Sequence, residues 1–118
     1  MLFIEYPKCT TCIKAKKWLE DHNVTFVDRN IKLDNPKKEE LRQWVKVANQ
    51  SLKKIFNTSG LLYKEYNLKD KLDLMSDEEK LDLLASNGML VKRPIIVDKD
   101  YVLFGFKEEE WKSLILKR

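Results

Sequence analysis

The chain has 118 residues, of which 43% are hydrophobic, and this length excludes an enzyme built from two domains. Its 23 Lys and Arg against 19 Asp and Glu leave a net charge of only +4, with the signs interleaved, which argues against nucleic-acid binding. No apolar run approaches the ~20 residues of a membrane span. We therefore expect a single domain over residues 1–118 that binds neither nucleic acid nor membrane.

The first thirty residues have the pattern of a βαβ unit. Residues 1–4, extended to Tyr6 and closed by Pro7, predict a short buried strand. Apolar residues then follow helical spacing over residues 12–19. Residues 24–27 predict a second strand, and a right-handed crossover sets it parallel to the first.

Residues 36–87 predict a helical insertion. Asn35 as cap and Pro36 at the first helical position predict a helix, and shorter helical segments are expected at residues 52–56 and 61–66.

A further helix of the insertion is predicted by its end signals. Ser76 and Glu79 form a capping box at its start, and we expect Asn87 and Gly88 to end it in left-handed backbone.

The end of the chain predicts a hairpin and a helix. Residues 94–97 and 101–104 predict its two strands, which Gly105 closes, and residues 108–116 predict the helix. We expect three apolar side chains of this helix to point inward: Trp111, Leu114 and Ile115. The order β-α-β, helical insertion, β-β-α indicates an α/β protein with one four-stranded mixed sheet between helices.

The two cysteines are the first candidates for chemistry. The start of the chain lacks the basic leader and apolar stretch of a signal peptide, so we expect a cytoplasmic protein, where Cys-x-x-Cys is seldom a static disulfide. Cys9 lies at the predicted start of the first helix, where the helix dipole favours thiolate, and Lys8 adds positive charge. Cys12, one turn on, can resolve a mixed disulfide that forms on Cys9.

Two other interpretations of the pair stay open. Both cysteines could simply pack as small hydrophobic residues. A zinc site is the second alternative, but His22 is the only further Cys or His in the chain.

Two later segments could contribute to a binding site. Arg93, before Pro94 at the entry to the third strand, could present its guanidinium to an anion or a thiolate, or could be an ordinary solvated charge. The Arg93-Pro94 bond could be cis at such a turn. Residues 57–60 offer hydroxyls and an amide that could hold an oxyanion, or could only stop a helix.

Together these motifs resemble the arsenate reductase (ArsC), Spx and MgsR family of thioredoxin-like proteins. The motifs that carry the resemblance are Tyr6-Pro7-Lys8-Cys9-Thr10-Thr11-Cys12, Phe56-Asn57-Thr58-Ser59-Gly60, Arg93-Pro94-Ile95-Ile96 and Gly105-Phe106. The resemblance covers essentially the whole chain. It implies a thioredoxin- or glutaredoxin-like fold.

The resemblance also implies roles for single residues. Cys9 matches the family nucleophile, Pro94 matches the cis-proline facing it, and Arg93 matches an anion-binding arginine. In the glutaredoxin-coupled arsenate reductases a single thiolate attacks arsenate, arginines hold the oxyanion and glutathione resolves the adduct. The expected substrate-binding residues are Lys8, Thr10, Thr11, Asn57, Arg93 and Pro94.

The sequence departs from both branches of the family. Asn57 stands where the arsenate reductases carry a second arginine, Phe106 stands near a third, and Cys12 adds a thiol that they lack. The Spx branch has the Cys-x-x-Cys pair and works as a regulator by binding the RNA polymerase alpha subunit. The glycine that it uses for that contact falls here at about Ser51.

We therefore expect a monomeric thiol-dependent reductase, arsenate reductase-like or glutaredoxin-like, that uses Cys9 and Cys12. Its substrate would be a thiol or disulfide protein or a small oxyanion. We expect no bound cofactor or metal, and an external thiol from glutathione, glutaredoxin, thioredoxin or another low-molecular-weight thiol. The alternatives are an Spx-like redox-sensing regulator that binds the RNA polymerase alpha subunit, and a binding module in which the pair is vestigial.

Overall fold

The centre of the molecule is a four-stranded sheet, seen in a computed structural model that describes residues 1–117. Its strands are β1 (Leu2–Glu5), β2 (Val27–Asn30), β3 (Ile95–Val97) and β4 (Val102–Phe104), in the order β2-β1-β3-β4. β1 pairs with β2 in parallel, and β3 is antiparallel to both β1 and β4. The predicted mixed sheet and its parallel opening pair are confirmed.

Helices cover both faces of this sheet. The six α-helices within residues 1–117 are α1 (Thr10–Asp21), α2 (Lys38–Ala48), α3 (Leu61–Glu65), α4 (Leu68–Lys71), α5 (Asp77–Ser86) and α6 (Glu108–Ile115). Short 3₁₀ turns occupy Leu52–Ile55, Leu72–Leu74 and Gly88–Leu90. Of these elements, α2 to α5 and all three 3₁₀ turns lie between β2 and β3, and all but the turn Gly88–Leu90 fall within residues 36–87, where the helical insertion is predicted. Within residues 1–117 no helix is long and apolar enough to cross a membrane.

Alternation along the strands separates two hydrophobic cores. Ile4 and Ile95 pack in the core beneath the helical insertion, whereas their neighbours Phe3 and Ile96 pack in the core beneath α1 and α6. Successive side chains of a strand point to opposite faces, so one short strand serves both cores. Because both faces of β1 and β3 are covered, these strands are apolar throughout most of their length.

The second strand begins later than the hydrophobic pattern predicts. The run at residues 24–27 is wrong as a strand, since pairing with β1 starts at Val27, which lies opposite Leu2. Val24 is still part of the turn after α1, where its N–H donates to the Leu19 carbonyl at 3.0 Å. Val24 and Phe26 pack against the core beneath α1 and α6 without joining the sheet.

The first helix of the insertion also begins later than predicted. α2 starts at Lys38, after Lys37, whose N–H donates to the Glu40 carboxylate at 2.9 Å. Asn35 is not the cap, because its side-chain amide donates instead to the Ala85 carbonyl at 2.8 Å.

The helix α5 begins as predicted but ends differently. Ser76 Oγ accepts from the Glu79 N–H at 3.1 Å, and the Glu79 carboxylate accepts from the Ser76 N–H at 2.9 Å, so the capping box is confirmed. The left-handed end is wrong, because Asn87 is extended, with φ −161°, and its side chain accepts from the Met89 N–H. Gly88 is required by close approach, since a Cβ there would lie 1.9 Å from the Ile31 carbonyl oxygen.

The last helix turns one predicted core residue outward. Trp111 is completely buried and Ile115 is partly buried, as expected. Leu114, however, is 37% exposed, so its predicted inward position is wrong. Trp111 is large enough to fill this side of the core, where it meets Trp18 and Phe106 edge to face.

Glu5 is a buried carboxyl at the end of β1. It is only 4% exposed, and Lys16 Nζ lies 3.8 Å from it while forming a closer pair with Asp28 at 2.9 Å. Burial, followed by the neighbouring Asp28, raises the pKa of Glu5 to about 7, although Lys16 opposes the rise. In the folded chain the Glu5 carboxyl therefore stays mostly protonated at pH values below about 7.

We expect Glu5→Gln to become more stable than the wild type as the pH rises. Because folding raises the pKa of Glu5 from 4.5 to about 7, its contribution to stability is full below pH 4.5 and is lost by about pH 7. The unfolding free energy of Glu5→Gln minus that of the wild type should grow by up to about 1.4 kcal/mol per pH unit between pH 4.5 and about 7. Above about pH 7 this difference should stay constant. Urea unfolding between pH 4.5 and 8 measures this. The exposed Glu20→Gln is the control, and an equally pH-dependent control would contradict the assignment to Glu5.

Candidate functional site

The site is built at the junction between β1 and α1. Cys9 precedes the first residue of α1 in extended backbone, with φ −86° and ψ 122°. Its N–H donates to the Tyr6 carbonyl and its carbonyl accepts from the Ile13 N–H, both at 3.0 Å. This turn leaves Cys9 half-buried at the helix start, whereas Cys12 points inward and is completely buried.

The surroundings of Cys9 favour its thiolate. Burial raises the pKa of the Cys9 thiol, but the Cys12 backbone N–H, the Cys12 thiol and the Arg93 guanidinium together outweigh burial and lower it below the usual cysteine value. As a thiol, Cys9 makes no side-chain capping hydrogen bond. The N–H and guanidinium donors are thus available to the negative sulfur.

The surroundings of Cys12 act in the opposite direction. Burial, reinforced by the neighbouring Cys9, raises the pKa of Cys12 to about 12, although the Tyr6 backbone and the Arg93 charge oppose the rise. Cys12 therefore stays a protonated thiol at pH values at which Cys9 is ionised. Both cysteines are free in this structure.

Arg93 comes to the site from the other end of the chain. Its guanidinium lies 5.5 Å from the centre of the Tyr6 ring, and one Nη donates to the Met89 carbonyl at 3.3 Å. Its Nε is buried, and no acceptor among residues 1–117 pairs with it. The Arg93-Pro94 bond is cis. The guanidinium therefore keeps donors that could face a thiolate or an anion.

The motif at residues 57–60 is tied to the segment that carries Arg93. The Asn57 N–H donates to the Leu90 carbonyl at 2.8 Å, and Phe56 forms an isolated bridge with Val91. The Asn57 side-chain amide and Arg93 both approach the Met89 carbonyl, at 3.5 and 3.3 Å. Two motifs that are distant in sequence thus meet beside the cysteines.

A cavity of about 610 Å³, which we call the thiol cavity, connects these groups. Four predicted site residues line it, namely Cys9, Thr11, Asn57 and Arg93. Four others do not: Lys8 and Thr10 are exposed outside it, and Cys12 and Pro94 are buried. The cation that lowers the pKa of Cys9 is Arg93.

The outer wall of the thiol cavity was missed by sequence reasoning. It is formed by Leu61, Leu62, Glu65 and Met89, whereas Ser59 and Gly60, which also line the cavity, belong to the predicted 57–60 motif. A signal was available, because α3 follows the 57–60 motif directly, and Leu61 and Glu65 lie one helical turn apart. The wall makes the cavity apolar on one side, with Glu65 as its only carboxylate among the described lining residues.

Residues 1–117 contain no group of side chains that could form the alternative zinc site. Across residues 1–117, no three His, Cys, Asp or Glu side chains lie close enough together to hold a metal ion. His22 is engaged elsewhere, since its Nδ1 lies 2.8 Å from the Trp18 carbonyl and its ring packs on the Trp18 ring at 4.2 Å.

Comparisons with known sequences place these features in a family. The model described as the ArsC family matches residues 4–114. The uncharacterized protein YusI of Bacillus subtilis (strain 168) is 50% identical over 113 residues, covering 96% of each chain. The global transcriptional regulator Spx of Streptococcus agalactiae serotype V is 33% identical over 109 residues, covering 92% of this chain and 78% of that protein.

Solved structures agree with this placement. An ArsC family related protein from Bacteroides fragilis is 52% identical and superposes with a TM-score of 0.93, covering 96% of this chain and 95% of that one. A possible arsenate reductase from Streptococcus mutans UA159 is 40% identical, with a TM-score of 0.85 and coverage of 94% and 96%. The predicted thioredoxin-like fold is thereby confirmed.

Proposed function

Since this chain belongs to the ArsC family, we propose that it is a thiol–disulfide oxidoreductase in which Cys9 attacks and Cys12 resolves. The observation that carries the proposal is that the pKa values of two neighbouring thiols are shifted in opposite directions. The pKa of Cys9 is lowered, whereas that of Cys12 is raised to about 12. A half-buried thiolate beside a completely buried thiol suits an attacking and a resolving sulfur.

The proposed reaction has two exchange steps. The Cys9 thiolate attacks one sulfur of a substrate disulfide, forms a new S–S bond and releases the other sulfur as a thiolate, which takes a proton. Cys12 then loses its proton to solvent and attacks the Cys9 sulfur. The Cys9–Cys12 bond forms, and the second substrate sulfur leaves as a thiolate, which takes a proton from solvent.

The second step needs the high pKa of Cys12 to fall during the reaction. Once the Cys9 sulfur is bonded to substrate it carries no negative charge, and this removes the repulsion that helps to raise the pKa of Cys12. The substrate has then gained two electrons. An external thiol, such as glutathione, glutaredoxin or thioredoxin, returns two electrons to the Cys9–Cys12 disulfide.

Disulfides suit this site better than arsenate does. Arg93 is the only Lys or Arg among the described residues that line the thiol cavity. Each missing charge-assisted contact to an oxyanion costs about 1.5–3 kcal/mol. Asn57 supplies an uncharged amide, and Phe106 is held against Trp18 and Trp111, away from an anion-binding role.

We expect Arg93→Gln to slow the alkylation of Cys9. Loss of the guanidinium raises the pKa of Cys9, so the rate at pH 7 falls several-fold and the pH profile moves to higher pH. Iodoacetamide labelling from pH 5 to 10, read by mass spectrometry of the Cys9 peptide, measures both effects. Arg93→Lys should restore part of the rate, and the exposed Lys14→Gln should leave the profile in place. Identical profiles for Arg93→Gln and the wild type would contradict the proposal that Arg93 lowers the pKa of Cys9.

A second candidate function is a redox-sensing regulator that binds the RNA polymerase alpha subunit. The similarity to Spx and to the regulatory protein MgsR of Bacillus subtilis (strain 168), which is 31% identical over 118 residues, favours it. A pull-down with the alpha C-terminal domain distinguishes the two candidates. Tight binding that depends on the state of the cysteine pair supports the regulator, whereas disulfide turnover without such binding supports the reductase.

A further inference from the structure

A second cavity continues from the thiol cavity along the surface. It has a volume of about 770 Å³ and shares four lining residues with the thiol cavity: Thr11, Asn57, Ser59 and Arg93. We call this second cavity the cationic groove, after the residues that line it. Its position means that a ligand lying in it would reach the mouth of the site beside Cys9.

The charges along the cationic groove are all of one sign. The cationic side chains that line it are Lys53, Lys54, Lys92, Arg93 and Lys107. Of the described residues in its lining, none is Asp or Glu. This contrasts with the whole chain, where 23 basic residues are nearly balanced by 19 acidic ones.

Most of these charges also lack a partner within the protein. Lys53 pairs with Asp73 at 2.8 Å, but Lys54, Lys92 and Lys107 make no ion pair within residues 1–117. The groove therefore carries three lysines without an ion pair to another described residue, although Asp100 and Glu110 line a neighbouring cavity together with these same lysines.

The arrangement of the charges indicates an extended ligand. Lys54 comes from the 3₁₀ turn Leu52–Ile55, Lys92 from the approach to β3, and Lys107 from the turn before α6. The cavity of about 770 Å³ that these segments line is much larger than one small oxyanion. Among the described lining residues, the partly exposed Tyr63 and Phe106 add apolar surface, which suits the side chains of a peptide.

We propose that the cationic groove binds an acidic segment of a disulfide-bearing protein and presents its disulfide to Cys9. The inference rests on the proposed function, because it names the substrate class of the same thiol. Complementary charge accelerates encounter and fixes the orientation of the docked segment. The segment places carboxylates along Lys54, Lys92 and Lys107, and its cysteine sulfur reaches the thiol cavity.

Three peptides of one length, each with one cysteine disulfide-linked to free cysteine, test the proposal. Glutamates, glutamines or lysines flank the cysteine. We expect kcat/KM for the glutamate peptide to exceed that for the glutamine peptide by about tenfold at low salt, and this ratio to fall as salt is added. The lysine peptide should be the slowest.

Matched variants locate the effect. In the double variant Lys54→Gln, Lys107→Gln the ratio of glutamate to glutamine peptide should fall towards one. The control, Lys14→Gln with Lys69→Gln, removes the same charge from exposed positions outside the groove and should keep the wild-type ratio. An equal fall of this ratio in both double variants would overturn the proposal that the groove binds the peptide. Net charge alone would then explain the preference for glutamate.

The outcomes separate the inference from the function on which it rests. Equal rates for the glutamate and glutamine peptides would overturn the proposal that the groove binds an acidic segment, but they would still support the proposed disulfide reductase. Faster reduction of a small phosphate-bearing disulfide than of the glutamate peptide would also overturn it, in favour of a small anionic substrate. Failure to reduce any peptide or the uncharged 2-hydroxyethyl disulfide would instead overturn the proposed function.

Discussion

Replacing Cys9 with serine is expected to abolish disulfide reduction, with a loss in kcat/KM of more than about 10³-fold. A serine hydroxyl is protonated at neutral pH, so the Cys12 N–H and Arg93 find no anion to stabilise. The remaining Cys12 cannot take over, because it is completely buried and its pKa is raised to about 12. The measurement is turnover of the glutamine peptide with a thiol donor at pH 7.

The matched variant Cys12→Ser is expected to behave differently. Its Cys9 thiolate still attacks, so the first exchange step survives and only the resolving step is lost. Reduction then proceeds slowly, at the rate at which an external thiol cleaves the mixed disulfide. Full turnover in Cys9→Ser, or equal loss of the first step in both variants, would contradict this division of labour.

The largest loss of stability is expected for Trp111→Ala, which should cost about 3–5 kcal/mol. Trp111 is completely buried, with ring centres 5.7 Å from Trp18 and 4.7 Å from Phe106. Its Nε1–H donates to the Gly105 carbonyl at 3.2 Å, so truncation also leaves that buried acceptor without its partner. Such a loss is a large part of the total stability of a typical domain, about 5–15 kcal/mol.

Urea unfolding of two further variants checks the cause. Trp111→Phe keeps most of the buried area but removes the donor, so its cost should be clearly smaller than that of alanine. Leu114→Ala, on the same helix but 37% exposed, should change the unfolding free energy by less than about 1 kcal/mol. Equal costs for Trp111→Ala and Leu114→Ala would contradict the packing described for α6.

Local signals were sufficient for much of the fold. The capping box at Ser76 depends on residues three apart, and the hairpin of β3 and β4 depends on neighbouring strands, so both could be predicted from the sequence. The start of β2 could not be predicted, because it is fixed by pairing with β1. That pairing selects Val27 and the three polar residues that follow it, and not the apolar run before Val27. Asn35 likewise found a distant partner, the Ala85 carbonyl, in place of the local capping role.

Sequence motifs predicted several of the residues that line the thiol cavity, and they offered both Lys8 and Arg93 as cations for the thiolate. The motifs located Cys9, Cys12 and Arg93. Neighbourhood in sequence suggested Lys8 as a cation near the thiol, whereas the fold leaves Lys8 outside the thiol cavity and brings Arg93 towards Cys9 from 84 positions away. The apolar wall and the cationic groove depend on how the helical insertion packs against the sheet, and no single motif encodes that packing.

The most direct test of the proposed function is to trap the mixed disulfide. Cys12→Ser and Cys9→Ser are each mixed at pH 7 with an equimolar amount of the glutamine peptide disulfide, quenched with acid and mapped by mass spectrometry. We expect rapid formation of a mixed disulfide on Cys9 in Cys12→Ser, with the peptide or the cysteine attached according to which sulfur is attacked, and essentially none on Cys12 in Cys9→Ser. Attachment to Cys12, or no attachment in either variant, would contradict the assignment of Cys9 as the attacking thiolate.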